Sequence, residues 1–172
     1  MILPSPLASP LHQLLVACCI LFVVVGFSRP IAAAPGDQII YHNLPGDAES
    51  NLPFSSAVQV GDLLFLSGAL GNLPGTLKLV PGGIEAETRQ TMNNIKETVE
   101  SFGSSMDRVV KCTVFMADMN EWGAMNKVYR TYFEKMPARS ALGASGLALG
   151  ARVEIECIAL GSAYDNELLF QE

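Results

Sequence analysis

The chain has 172 residues, 49% hydrophobic and 16% charged, with 17 acidic against 11 basic side chains and a net charge of −6. That length suits one globular domain plus an accessory segment. The acidic balance, with no basic cluster, argues against nucleic acid as the main partner, because phosphate binding needs clustered Lys and Arg.

Leu14 to Phe27 is an uninterrupted apolar run of fourteen residues, short of the roughly 18–20 that span a bilayer. Small residues follow at Ala32, Ala33 and Ala34, so residues 1–33 read as a secretory signal peptide, with a retained membrane anchor as the alternative. The protein is accordingly expected to be exported, periplasmic or secreted, or else membrane-anchored. Removing that segment takes Arg29 with it and makes the chain one unit more acidic. Cys112 and Cys157 then remain, too few for a disulfide framework, and each sits in an apolar run. Buried free thiols are the expectation for both, a bridge the alternative.

Residues 34–53 are rich in Pro, Gly, Asn and Asp and read as an extended lead-in with a short edge strand at Ile39-Ile40-Tyr41. Ser56–Val60 and Leu63–Gly68 flank a Gly61-Asp62 hairpin turn, and the unbroken apolar run of the second predicts a central strand covered on both faces. Gly71–Gly83 reads as a loop whose glycines, with Gly68, serve turns and strand ends. Met92, Ile95, Val99 and Phe102 recur at spacings of three and four, which predicts a helix over 84–102 with Glu85 and Glu87 in its first turn and Gly103 as its stop. Val109–Met116 is a β-branched run and a second central strand. Glu121–Phe133 forms a second helix with Trp122, Met125, Tyr129, Tyr132 and Phe133 on one side. Arg152–Leu160 alternates, with Val153, Ile155, Cys157 and Ala159 on one face and Arg152, Glu154 and Glu156 on the other. The pattern is an α+β layer with two helices on one face of a mostly antiparallel sheet, over a domain at 54–162 and a tail at 163–172.

Few residues carry chemistry. His12 and His42 are the only histidines, so no metal constellation is present, and His42 lies on the lead-in. There is neither a phosphate-binding glycine loop nor a serine-hydrolase elbow. What stands out is Arg139 in Pro137-Ala138-Arg139-Ser140, followed fifteen residues later by Glu154 on an apolar strand. A guanidinium and a carboxylate so placed form either a structural salt bridge joining the last two strands or a carboxylate clamp with a general acid/base. A sheet with helices on one side needs its other face covered, and oligomerisation would create pockets where subunits meet.

The string Pro137-Ala138-Arg139-Ser140 through Arg152-Val153-Glu154-Ile155 resembles the C-terminal motif of the RidA (YjgF) family of reactive-intermediate deaminases. The likeness runs from Leu52 to Leu160 and includes Leu66-Ser67-Gly68, Glu87-Thr88-Arg89-Gln90, Val110–Phe115 and Met125–Tyr129. It implies a chorismate-mutase-like α+β fold and a homotrimer with its sites in the clefts between subunits. The implied reaction is hydrolysis of 2-imino acids to 2-keto acids and ammonia, with no cofactor. On that resemblance Arg139 holds the substrate carboxylate, Glu154 positions or activates the attacking water, and the Gly68 N–H and Asn126 complete the pocket. Phe54 stands where the best-known deaminases carry tyrosine, and Ala141 where they often carry cysteine. The segment between Phe133 and Pro137 is also shorter. Those differences bear on which substrates fit. The alternative from another class is a non-catalytic exported trimer that binds small carboxylates or shields unfolded clients. Ribonuclease activity, sometimes attributed to the family, fits poorly with the acidic charge.

Overall fold

The computed structural model describes residues 38–46 and 52–161. The export segment expected at 1–33, the tail at 163–172 and parts of the lead-in lie outside them. In chain order the elements are β1 (Ile39–His42), β2 (Ala57–Val60), β3 (Leu63–Leu66), β4 (Ala69–Leu70), helix α1 (Gly83–Ser101), β5 (Val109–Met116), helix α2 (Trp122–Tyr129), β6 (Ala138–Gly143) and β7 (Val153–Leu160). One sheet of order β1-β2-β3-β7-β5-β6 holds them, with β4 also pairing β7. Among the described strands only β5 and β6 run parallel, joined by the crossover through α2, and the strand order puts β6 at the edge.

The apolar stripe of α1 meets the sheet as its spacing demands. Met92, Ile95 and Val99 are completely buried and pack with Leu64, Val114, Val153 and Ile155. Phe102, just past the helix, stacks on His42 with ring centroids 4.6 Å apart. His42 also hydrogen-bonds Gln59, so it fastens the edge strand to its neighbours. The second helical segment divides. α2 ends at Tyr129 and a tighter 3-10 turn carries Arg130–Tyr132. Met125, Val128, Tyr129 and Phe133 are buried, whereas Trp122 is 44% exposed and does not join the core stripe.

Three expectations about packing change. The apolar run of β3 is not covered on both faces: Leu64 and Leu66 are buried under the helices, but Leu63 and Phe65 alternate outward and are about two-fifths exposed. Val110, Leu142 and Leu160 are likewise exposed large apolar residues on the neighbouring strands. The sheet therefore has a helix-covered face and a bare face carrying apolar side chains. The buried thiols are bridged: Cys112 and Cys157 lie opposite each other in the β5–β7 register, Cα atoms 4.1 Å apart, and form a disulfide. Sequence position gave no hint of that register, 45 residues apart. Finally, Arg152 leaves the polar row expected with Glu154 and Glu156. Its Nη1 donates to Glu121 at 2.6 Å and its Nε faces Glu87 at 3.9 Å.

Candidate functional site

Arg139 sits on edge strand β6 in register with Cys112 of β5, and Cys112 is in register with Cys157 of β7. Paired residues share a face, so Arg139 belongs to the helix-covered side. Helix α2 supplies its surroundings at one-turn intervals. Its Nη1 donates to the Asn126 Oδ1, its Cζ lies 4.8 Å from the Tyr129 ring centroid, and the Trp122 ring is 5.9 Å away. Positions 122, 126 and 129 recur at spacings of four and three, which puts them on one helix face. Ala141 follows on the same face of β6 and packs against the core.

The partners of Arg139 are all neutral. Among the described residues no carboxylate lies within ion-pair distance of it. Burial pushes the Tyr129 phenol up to about 12 against the pull of the Arg139 charge, so the ring stays un-ionised. Cation–π contacts and an amide oxygen fix the guanidinium without cancelling its charge. The remaining N–H donors of its fork can meet a carboxylate in the bidentate geometry that lysine cannot offer.

Glu154 occupies the other face. It pairs with Phe115, three residues on from Cys112, so it points away from the helices. The salt bridge considered between Arg139 and Glu154 is therefore absent within one chain, since the sheet separates them. Leu70 of β4 is its register partner on the other side, and Gly68 borders its carboxylate. A Cβ added at Gly68 would collide with the Glu154 Oε1 and lie 3.0 Å from its Cδ. Glycine is required there because the two groups approach so closely. Burial, and secondarily the charge of Glu156 two residues on, hold the Glu154 carboxyl above the usual carboxylate range.

Phe54 is exposed just before β2. The adjacent Ser55 carbonyl accepts a hydrogen bond from the Ser67 hydroxyl at 2.7 Å, and the Ser67 N–H donates to Ser56. Those bonds set Phe54 beside the strand end that carries Gly68. The expected site residues thus fall into two groups: Arg139, Asn126 and Ala141 at the β6 edge, and Glu154, Gly68 and the Phe54 segment around the bare face.

Sequence reasoning missed two contributions. Trp122 and Tyr129 read as core stripe, yet both flank the guanidinium; their spacing around Asn126 was the available signal. Glu87 read as a first-turn charge, yet it is buried and accepts the Arg152 backbone N–H at 2.8 Å. That bond ties α1 to the start of β7. No group of three or more His, Cys, Asp or Glu among the described residues is placed to hold a metal ion.

The family model described as Endoribonuclease L-PSP matches residues 46–161. A mouse protein named 2-iminobutanoate/2-iminopropanoate deaminase is 44% identical over 109 residues, covering 63% of this chain and 81% of its own length. A Drosophila melanogaster protein named RutC family protein UK114 is 39% identical over 116 residues, 67% of this chain and 84% of its own. The crystal structure of a Rid-family protein from Yersinia pestis, described as of unknown function, superposes with a TM-score of 0.66 at 35% identity, over 72% of this chain and 99% of that one. The described fold agrees with these matches, and the chain belongs to the RidA (YjgF) family, the Endoribonuclease L-PSP proteins.

Proposed function

We propose that the protein hydrolyses reactive 2-imino acids to 2-keto acids and ammonia, in clefts between the subunits of a homotrimer. The observation that carries the reading is the unpaired charge of Arg139, held in place by neutral groups. Relatives named as imine deaminases supply the reaction class. The bare, apolar sheet face supports assembly: Leu63, Phe65 and Leu160 would be covered by a neighbouring subunit. Assembly also offers a route by which one subunit's Arg139 meets another's Glu154.

Arg139 binds the substrate carboxylate through its fork. That contact leaves the C=N carbon within reach of a water held by Glu154. Glu154 takes a proton from the water as it attacks, and the carbon becomes tetrahedral. The proton passes to nitrogen, the C–N bond breaks, and ammonia leaves a 2-keto acid behind. A protonated imine is electrophilic enough to need no cofactor. Asn126 acts here by positioning Arg139. The proposed setting is outside the cytosol, through cleavage or retention of residues 1–33, and it rests on the sequence alone.

To test this, 2-iminopropanoate or 2-iminobutanoate is supplied by a coupled amino-acid oxidase and its decay is followed. Wild type accelerates the decay, and Arg139→Ala loses on the order of 3 kcal/mol of that effect, roughly a hundredfold. Equal clearance by both proteins overturns the reading. Tight, Arg139-dependent binding of 2-ketobutyrate without turnover would instead select a carboxylate-binding trimer. Client protection indifferent to Arg139→Ala would select shielding. Ribonuclease activity has no support from the surface cations, several of which are already matched with carboxylates: Arg152 with Glu87 and Glu121, Lys96 with Glu100, Lys127 with Glu85.

A further inference from the structure

Trp122 is an anomaly on its helix. Met125, Val128 and Tyr129 bury their side chains against the core, whereas the indole stays 44% exposed in the first turn. An exposed tryptophan forgoes much of the apolar burial that usually accounts for one. Its ring instead flanks the guanidinium of Arg139 from outside, while the buried Tyr129 ring lies closer, at 4.8 Å. Along β6, the next residues on the face of Arg139 are Ala141 and Gly143, in register with Val114 and Met116. The Met119 side chain lies over Gly143, its Cγ 3.1 Å from where a Cβ would stand. The strand beyond the guanidinium thus offers small residues with a thioether over Gly143, and the indole stands beside the guanidinium itself. A ligand whose carboxylate is seated on Arg139 carries its side chain away from the charge, within reach of that apolar surface.

We propose that Trp122 determines specificity, and that the site takes 2-imino acids with branched or aromatic apolar side chains in preference to those derived from alanine. This rests on the imine-hydrolysis reading and goes beyond it by naming the substrate class. Each methylene moved from water onto apolar surface is worth roughly three- to fourfold in binding, so several carbons against an indole give an order of magnitude.

Two measurements on the purified full chain test it. In the first, imines are generated by an amino-acid oxidase from alanine, 2-aminobutanoate, leucine and phenylalanine. We expect kcat/KM to rise about tenfold or more from the alanine- to the leucine- or phenylalanine-derived imine. Trp122→Ala should collapse that ratio, and Trp122→Phe should keep part of it, which separates lost specificity from misfolding. A flat series in wild type, or a ratio that survives Trp122→Ala, overturns the proposal.

The second needs no turnover. Trp122 is the single tryptophan of the chain, so its emission reports on ligands at Arg139. Titration with 4-methyl-2-oxopentanoate should perturb it at lower concentration than titration with pyruvate, and Arg139→Ala should abolish both responses. Graded, Arg139-dependent responses without any imine turnover would refute the catalytic reading and sustain the specificity of the site. No response to either acid overturns the role of Trp122.

Discussion

Arg139 and Arg152 carry the same charge into very different company. Glu121 and Glu87 neutralise Arg152, while Arg139 meets an amide oxygen and two aromatic rings. Only the second arrangement leaves a cation available to a ligand. Glu154 is tuned in a comparable way, since burial and the Glu156 charge both favour its protonated form. As the proposed base it must be ionised, so the acidic limb of the pH–rate profile should lie above the ordinary glutamate value and activity should rise with pH through it. Glu156→Gln removes the second cause and should move that limb downward; a profile that stays put, or moves up, contradicts the assignment. The linkage to stability has the opposite sense. A raised carboxyl pKa stabilises the fold most below its unfolded value, and that contribution is lost as pH rises through the folded one. At Gly68 the prediction is steric. Gly68→Ala must displace the Glu154 carboxylate or the strand, at about 1–3 kcal/mol in the melt, and imine hydrolysis should fall by more than that stability loss explains.

Among the elements, α1 was legible almost to the residue, because its apolar positions recur every three or four and one face suffices to bury them. The hairpin at Gly61-Asp62 was equally legible, since a two-residue turn fixes the pairing of β2 and β3. Strand β3 was misleading for a physical reason. Leu63 and Phe65 are as apolar as Leu64 and Leu66, and sequence does not distinguish a face covered by the chain's own helices from one left bare. The Arg139–Glu154 motif was readable, but which face each occupies depends on registers through β5 that no local pattern encodes. The same holds for the Cys112–Cys157 bridge and for Glu87. Only the assembled fold brings the Glu87 carboxylate under the Arg152 N–H, and Gly71 lets the chain pass 2.8 Å from the Glu87 backbone, measured from an added Cβ. Glu87→Ala leaves a partly buried N–H without its acceptor and should lower stability by about 1–3 kcal/mol in thermal or denaturant melts. A neutral result would mean that water replaces the carboxylate and that α1 does not anchor the start of β7.

For the whole molecule, the bare sheet face is the dominant fact. Apolar side chains of β3, β5, β6 and β7 lie on it together with Glu154. Phe65→Glu would place an unpaired charge in the proposed subunit contact, where desolvation costs several kcal/mol. Light scattering should then report a smaller species whose circular dichroism remains native, with imine hydrolysis lost. An unchanged mass would show that the face is not the contact. The placement of Arg139 and Glu154 on opposite faces of one sheet has a further, genetic consequence. If each cleft draws one group from either side of a subunit boundary, a chain lacking Arg139 and a chain lacking Glu154 are defective in different halves of a shared site. Co-expressed in equal amounts, two inactive alleles should complement, because about a quarter of the clefts in a random ring receive both intact groups.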